Sequence, residues 1–276
     1  MFPDVNFLGL RVPLYTLAMV FSGLVVVVPG LWYNHTKGRH YPISLYLALW
    51  IMAPAMLFGR VMYYALNTCG FTEHSFWDLE YGGSMAVGAT LGGIAGLFTY
   101  LWLKRIPPFE GLEVFIPYMP LGDAVGRLGC FAAGCCFGAP TGLPWGVRFP
   151  FNSLAFRREF RLGLIGLDSN SSLPVHPVQL YAAALAIVTF FVLKALLARK
   201  LRPGMMTFIY LFLYSFGRLG IDFFRADQPY VFLNLTVSQV VFSIMAPIAV
   251  MSILLLRRRT DRGNVGGSLP EVSDNG

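Results

Sequence analysis

The sequence predicts an all-α membrane protein: a bundle of seven transmembrane helices, N-terminus outside and C-terminus in the cytoplasm. Three observations predict it. Hydrophobic residues make up 56% of the 276-residue chain and charged residues only 13%, against about 25% charged in an ordinary soluble domain. Polar residues are therefore too few to coat a water-facing surface. The apolar residues fall into seven stretches near the length of about 20 residues that crosses a bilayer, and the cations divide unevenly among the connecting loops. Together these exclude a water-soluble enzyme, a disordered chain and a disulfide-stapled secreted domain.

The stretches run over about 14–33, 43–66, 82–103, 113–138, 177–198, 204–224 and 235–256. The first is not expected to be a cleaved signal peptide, because no charged leader precedes it and no small-x-small cleavage site follows. Strand-like alternation does not recur at the spacing of a barrel. With the N-terminus outside, eleven Lys and Arg fall inside (Lys37, Arg39, Lys104, Arg105, Arg199, Lys200, Arg202 and the tail's Arg257, Arg258, Arg259, Arg262), against five outside. The positive-inside rule favours that orientation. The formal charge of +7 thus concerns topology, and no nucleic-acid partner is expected.

The longest connection, 139–176, carries Trp145, Arg148 and the run Phe156-Arg157-Arg158-Glu159-Phe160-Arg161. A loop of that length usually has structure of its own, so a small outer-face cap between spans four and five is expected. Residues 1–256 read as a single membrane domain, and 257–276 as a basic, then disordered, cytoplasmic tail. No internal repeat suggests an inverted-repeat transporter.

Four arginines lie within spans or at their ends: Arg60, Arg127, Arg218 and Arg225. Each costs about 2.5–3.5 kcal/mol at mid-helix, so such residues pair or mark function. Asp123 and Arg127 are four apart, as are Arg218 and Asp222, so each pair shares a helix face. Either the pairs only pin helices together, or the arginines converge on an anion. At that depth the anion would be a lipid phosphate, which a planar guanidinium binds bidentately. Glycines flank the arginines in Gly59-Arg60, Gly126-Arg127-Leu128-Gly129 and Gly217-Arg218-Leu219-Gly220, giving room for close approach.

His176 opens the fifth span as His176-Pro177-Val178-Gln179-Leu180-Tyr181, with proline starting the helix. Cys69, Cys130, Cys135 and Cys136 offer no standard zinc spacing when counted along a helix, and no histidine is adjacent. They read as small apolar filling, with a thiol or redox role as the alternative.

Three blocks now stand together: Gly126-Arg127-Leu128-Gly129-Cys130-Phe131 with Gly134 and Gly138; His176-Pro177-Val178-Gln179-Leu180-Tyr181; and Gly217-Arg218 with Asp222-Phe223-Phe224-Arg225-Ala226-Asp227. In this order, on a chain of this length, they resemble the prolipoprotein diacylglyceryl transferase family over about residues 10–256. Tyr15, Gly59-Arg60 and the glycines from Gly82-Gly83 to Gly92-Gly93 are weaker echoes. The resemblance implies transfer of the diacylglyceryl group of phosphatidylglycerol to the lipobox cysteine of an exported prolipoprotein, leaving a thioether and releasing glycerol phosphate. It implies a multi-pass enzyme of the bacterial cytoplasmic (inner) membrane, open toward the outer leaflet, with no cofactor and no metal.

By the same resemblance Arg127 would hold the phospholipid and share in catalysis, and Arg218 would be essential to it. Arg60, Arg225, Tyr15, Gln179 and Tyr181 would bind substrate, with Asp123, Asp222, Gly126, Gly129 and Gly138 in support. The chain departs from the family's pattern at Val87, Cys130, Cys135 and Ala182, where polar or proton-handling residues are usual. Two readings of thiol activation stay open: His176 as base, or arginines that favour the thiolate with no base. A weakened relative that only binds anionic lipid, an anion transporter and a thiol oxidoreductase are the competing functions.

Overall fold

A computed structural model describes residues 4–7, 10–36, 41–66, 86–166, 168–199, 201–225, 230–232 and 235–265. Nine helices are present among them: α1 (Leu14–Thr36), α2 (Tyr46–Leu66), α3 (Ala86–Leu103), α4 (Pro108–Glu113), α5 (Met119–Ala133), α6 (Leu154–Arg161), α7 (Val178–Leu197), α8 (Met205–Asp222) and α9 (Val237–Val265). The strands make two short antiparallel hairpins, β1 (Asp4–Phe7) with β2 (Leu10–Pro13) and β3 (Tyr230–Phe232) with β4 (Leu235–Thr236).

Among the described residues, four helical segments are long and apolar enough to cross a membrane: Leu17–Thr36, Tyr46–Ala65, Val178–Leu197 and Ser238–Arg258; Gly88–Leu103 is a shorter apolar helix. Their outward faces are apolar. Val20, Phe21 and Leu24 on α1, Val188 and Phe191 on α7, and Met251 and Leu254 on α9 are all exposed. Contiguous apolar surface of this kind is costly in water and suits a hydrocarbon surrounding.

Six of the seven predicted stretches each correspond to one helix, five within a few residues at both ends, while α9 runs nine residues past the predicted end at 256. The fourth, 113–138, is not one helix. Turns occupy 114–118 between α4 and α5, and Pro117 and Pro120 explain the break, since neither can donate the backbone bond of a helix interior. Pro120 falls in the first turn of α5, where a missing N–H costs nothing. At about 1.5 Å per residue, the 15 residues of α5 do not span a hydrocarbon core.

The described chain forms two compact units, Met1–Val25 with Ile116–Gly276, and Val26–Phe115. In the second, α2 and α3 pack through a glycine stripe. A Cβ on Gly88, Gly92 or Gly96 would run into the carbonyls of Phe58, Pro54 and Trp50 respectively, so these positions let the two helix backbones touch. Ile43, Leu47, Tyr100, Leu101, Ile106, Val114 and Phe115 form its core. The fully buried Asn34 donates to the Tyr41 carbonyl at 2.9 Å and accepts from its N–H.

In the first unit, Ser22 Oγ donates to the Gly122 carbonyl at 2.8 Å, and Gly129 lies so close to Ala18 that a Cβ there would collide with the alanine methyl. Alanines fill the seam between α5 and α7 (Ala124, Ala183, Ala186), and Val178, Ala182 and Ile221 fill that between α7 and α8. Helix α9 opens with a reciprocal cap: Gln239 N donates to Thr236 Oγ1 while Thr236 N donates to Gln239 Oε1, which satisfies two otherwise orphaned donors.

The described residues between 139 and 176 have local structure of their own. Isolated bridges join Pro140 and Val147 to Val175, and Pro150 to Ser171. Ser153 caps α6 by accepting from Phe156 N, and the small core contains Phe137, Phe149, Ala155 and Val175. Buried Glu159 accepts from Leu173 N at 2.7 Å. Desolvation raises its carboxyl above the usual carboxylate range, opposed by that hydrogen bond and the nearby Arg148.

Candidate functional site

In the first unit buried charges meet at the end of α8, and half-buried ones stand on α5. One turn apart on α8, Arg218 Nη2 lies 3.0 Å from Asp222 Oδ1, with 7% and 1% of the side chains exposed. Arg225 Nη1 reaches the same oxygen at 3.7 Å from just beyond the helix, so Asp222 sits between two guanidiniums. On α5, Arg127 Nε donates to Asp123 Oδ1 at 3.2 Å. Arg127 and Arg225 are both close enough to Arg218 for their charges to act on it. The ring of Phe242 from α9 lies 5.9 Å from the Arg218 guanidinium carbon, a cation–π approach.

This group is not fully satisfied. Among the described residues, Arg218 Nε, Asp222 Oδ2 and Ser215 Oγ are buried without a hydrogen-bond partner, and an unmet buried donor or acceptor costs about 1–3 kcal/mol. A narrow cleft beside them is lined by Asp123, Ala182, Ala186, Thr189, Tyr210, Tyr214 and Arg218. Ala182, one of the departures from the family's pattern, thus lines the same cleft as Arg218.

A second cluster joins the 139–176 cap to the start of α7. Trp145 Nε1 donates to the Tyr181 hydroxyl at 2.8 Å, and that hydroxyl is 3.3 Å from His176 Nδ1. The His176 ring packs on Phe224, centroids 5.1 Å apart. Gly138 is the stitch between these segments. Its N–H donates to the His176 carbonyl at 3.0 Å while Ala139 N donates to the Phe224 carbonyl at 2.8 Å, and an isolated bridge pairs Gly138 with Arg225. A Cβ on Gly138 would come within 2.6 Å of His176 Cβ and 2.7 Å of the Phe224 oxygen. Only glycine lets three chain segments meet there.

The cysteines differ from their sequence reading. Counting along a continuous helix separates their side chains, but α5 ends at Ala133 with Gly134 left-handed at φ 71°. Cys135 N then donates back to the Cys130 carbonyl at 3.1 Å, and Cys136 is itself left-handed at φ 57°. The sulfurs of Cys130, Cys135 and Cys136 consequently lie within 4.8 Å of one another. Gln179 Nε2 holds the turn by donating to the Cys135 carbonyl at 2.7 Å.

Arg127, Arg218, Arg225, Asp123, Asp222, His176, Gln179, Tyr181, Gly126, Gly129 and Gly138 therefore all belong to one unit. Arg60 stands half-buried on α2 of the other unit. Tyr15 begins α1, but its side chain lies outside the described residues, as do the side chain of Val87 and all of Gly82, Gly83, Cys69, His74, Ala226 and Asp227. Sequence reasoning missed Trp145 as the partner of Tyr181, and Tyr210 and Tyr214 beside the arginines. Their only signal was an aromatic residue in a loop or an apolar span.

A family profile described as prolipoprotein diacylglyceryl transferase matches residues 4–256. A phosphatidylglycerol–prolipoprotein diacylglyceryl transferase of Clostridium tetani is 27% identical over 207 residues, 74% of this chain and 78% of that protein. The protein of the same name from Thermosynechococcus vestitus is 28% identical over 231 residues, 80% of this chain and 82% of the relative. The one from Synechococcus elongatus is 31% identical over 190 residues, 66% of this chain and 62% of the relative.

Proposed function

Since the chain belongs to the prolipoprotein diacylglyceryl transferase family, we propose that its buried arginines bind and activate phosphatidylglycerol for transfer to a prolipoprotein cysteine. The enzyme moves a diacylglyceryl group from the phospholipid to the thiol, as the names of its relatives state for them. The sulfur attacks the glyceryl carbon next to the phosphate, the C–O bond breaks, glycerol phosphate leaves and a thioether remains. The thiol's proton is lost to water or a nearby acceptor.

The observation that carries this reading is Arg218: buried, flanked by two further guanidiniums, and with Nε unsatisfied. A phosphodiester oxygen supplies the missing acceptor. As the C–O bond breaks, negative charge grows on the leaving phosphate, and preorganised donors in a dry site stabilise that charge most. In this reading Arg127 holds the headgroup, Arg218 meets the growing charge, and Asp222 and Asp123 aim the guanidiniums. Arg225, Arg60 and Tyr15 complete the lipid contacts. Gln179 and Tyr181 border the path of the substrate cysteine.

His176 fits a positioning and donor role better than that of an obligatory base. Trp145 donates to the Tyr181 oxygen, which leaves the phenol's own proton for His176 Nδ1, and the neutral ring then carries its proton on Nε2. The membrane arrangement we favour has seven crossings, N-out and C-in, in the bacterial cytoplasmic membrane, the fourth made by α5 together with the non-helical residues that flank it. The loop cations support it, and the 139–176 cap then covers the site from the outer face.

The deciding experiment incubates the purified protein with phosphatidylglycerol and a lipobox peptide and follows the peptide by mass spectrometry, with Arg127→Ala alongside. The expected result is a diacylglyceryl adduct on the peptide cysteine, strongly reduced in the variant. An absent adduct, with lipid still bound, would leave only a lipid-binding relative.

A further inference from the structure

Cys130, Cys135 and Cys136 are placed by two left-handed residues around one turn, Gly134 at φ 71° and Cys136 at φ 57°. A non-glycine residue resists that conformation, so the fold holds Cys136 against a local preference. The outcome is three sulfurs within 4.8 Å of one another, one buried and two half-exposed. Three thiols are one too many for a disulfide and match the protein share of a catalytic zinc site, which keeps its fourth position open. Sulfurs bound at about 2.3 Å to one ion stand roughly 3.8 Å apart, so about an ångström of side-chain closure completes the set.

The surroundings suit such an ion. Zinc with three thiolates carries one net negative charge, and Arg127 and Arg225 both lie within electrostatic reach of Cys136. Gln179, 1% exposed, fixes the Cys135 carbonyl through Nε2 and keeps a buried Oε1 without a partner among the described residues. Ligand-bearing turns are held by outer contacts of this type.

We propose that Cys130, Cys135 and Cys136 form a three-thiolate zinc site whose open fourth position takes the thiol of the substrate cysteine. The proposal rests on the transferase reading and deepens it. On binding zinc the substrate thiol releases its proton to water. The bound sulfur then forms the bond to the glyceryl carbon as the C–O bond to phosphate breaks, and glycerol phosphate leaves toward the arginines. The product thioether is neutral and a weak ligand, so it departs and the fourth position reopens. A metal acting on the thiol would also account for Val87 and Ala182 standing where proton-handling side chains are usual.

The test uses the full chain in detergent, reduced, stripped with a chelator and reloaded. Wild-type protein should hold one zinc per chain. Cobalt in its place should give thiolate-to-metal absorption in the near ultraviolet and strong visible bands, both lost in Cys136→Ser. A lipobox peptide should alter the visible bands, and the same peptide with serine for cysteine should not. Stripping should abolish adduct formation, with recovery on adding zinc to the same sample, a comparison that needs no variant to fold. Reduced protein that binds neither ion overturns the site, and stripped protein that transfers at the full rate overturns the zinc step while leaving the transferase reading intact. Protein that binds cobalt and peptide but never forms an adduct overturns the transferase reading, and with it the thiol activation.

Discussion

Arg218 and Asp222 face each other across 3.0 Å, one turn apart on α8, with less than a tenth of either side chain exposed. The pair balances two buried charges, but its geometry leaves Arg218 Nε and Asp222 Oδ2 without partners among the described residues. A purely structural bridge would be expected to close those bonds, because desolvation makes each open one costly. The incomplete bonding is what a site looks like when its last acceptor arrives with the substrate.

Removing the carboxylate should therefore harm more than removing the interaction. Asp222→Asn leaves Arg218 and Arg225 facing each other without their shared anion. Breaking a buried pair costs about 3–5 kcal/mol, so thermal unfolding in detergent should shift to clearly lower temperature. The double variant Asp222→Asn with Arg218→Gln should recover part of that loss of stability without recovering activity.

Arg127→Ala should weaken phosphatidylglycerol use by about 2–5 kcal/mol, the range for truncating one member of a buried charge-assisted contact. Arg218→Lys keeps the charge but not the planar fork, and transfer should fall sharply. Rates measured across lipid concentrations check both. Full activity of the lysine variant would reduce the role of Arg218 to charge alone.

Replacing His176 by Gln should lower transfer less than the 10²–10⁴-fold attributed to general acid–base catalysis, and the pH profile should keep its shape. Disappearance of an acidic limb from that profile would make His176 the base after all.

Gly138→Ala should separate the segments that glycine now joins. Its methyl would stand 2.6–2.7 Å from His176 and Phe224 atoms, and overpacking costs about 1–3 kcal/mol. Hydrogen exchange should rise in 139–176 and around 224–225 together, because the added methyl presses on both.

Glu159 gives the cap a pH dependence of definite sign. Its folded carboxyl is raised, chiefly by burial, so the folded cap holds that proton more tightly than the unfolded chain does. The contribution is complete below the ordinary carboxylate range and is lost as the pH rises through the raised value. Proteolytic resistance of the 139–176 segment should increase on mild acidification, and Glu159→Gln should flatten the response.

Composition, length and the three motif blocks determined the helical membrane class, the family and the paired arginines. Each of these rests on local spacing: about 20 apolar residues per crossing, four residues between members of an ion pair. The apolar stretches also located six helices, five of them within a few residues of their observed ends; α9 continues nine residues further because its basic last turns are not apolar. The stretches merged α4 and α5 because the residues between them are as apolar as a span, although Pro117 and Pro120 carried the correct signal.

Tertiary structure alone decided what meets what. Arg225 joins Arg218 through Asp222 because the chain leaves α8 in a turn, Trp145 reaches Tyr181 from 36 residues away, and Gly138 with Ala139 binds two distant segments at once. The cysteines show the reason most plainly. Their spacing of five and one separates them on a continuous helix, and the left-handed residues Gly134 and Cys136 reverse the chain so that the three thiols converge. Spacing fixes neighbours along one element. Convergence depends on where elements stop, and that is settled by backbone strain and packing across the fold.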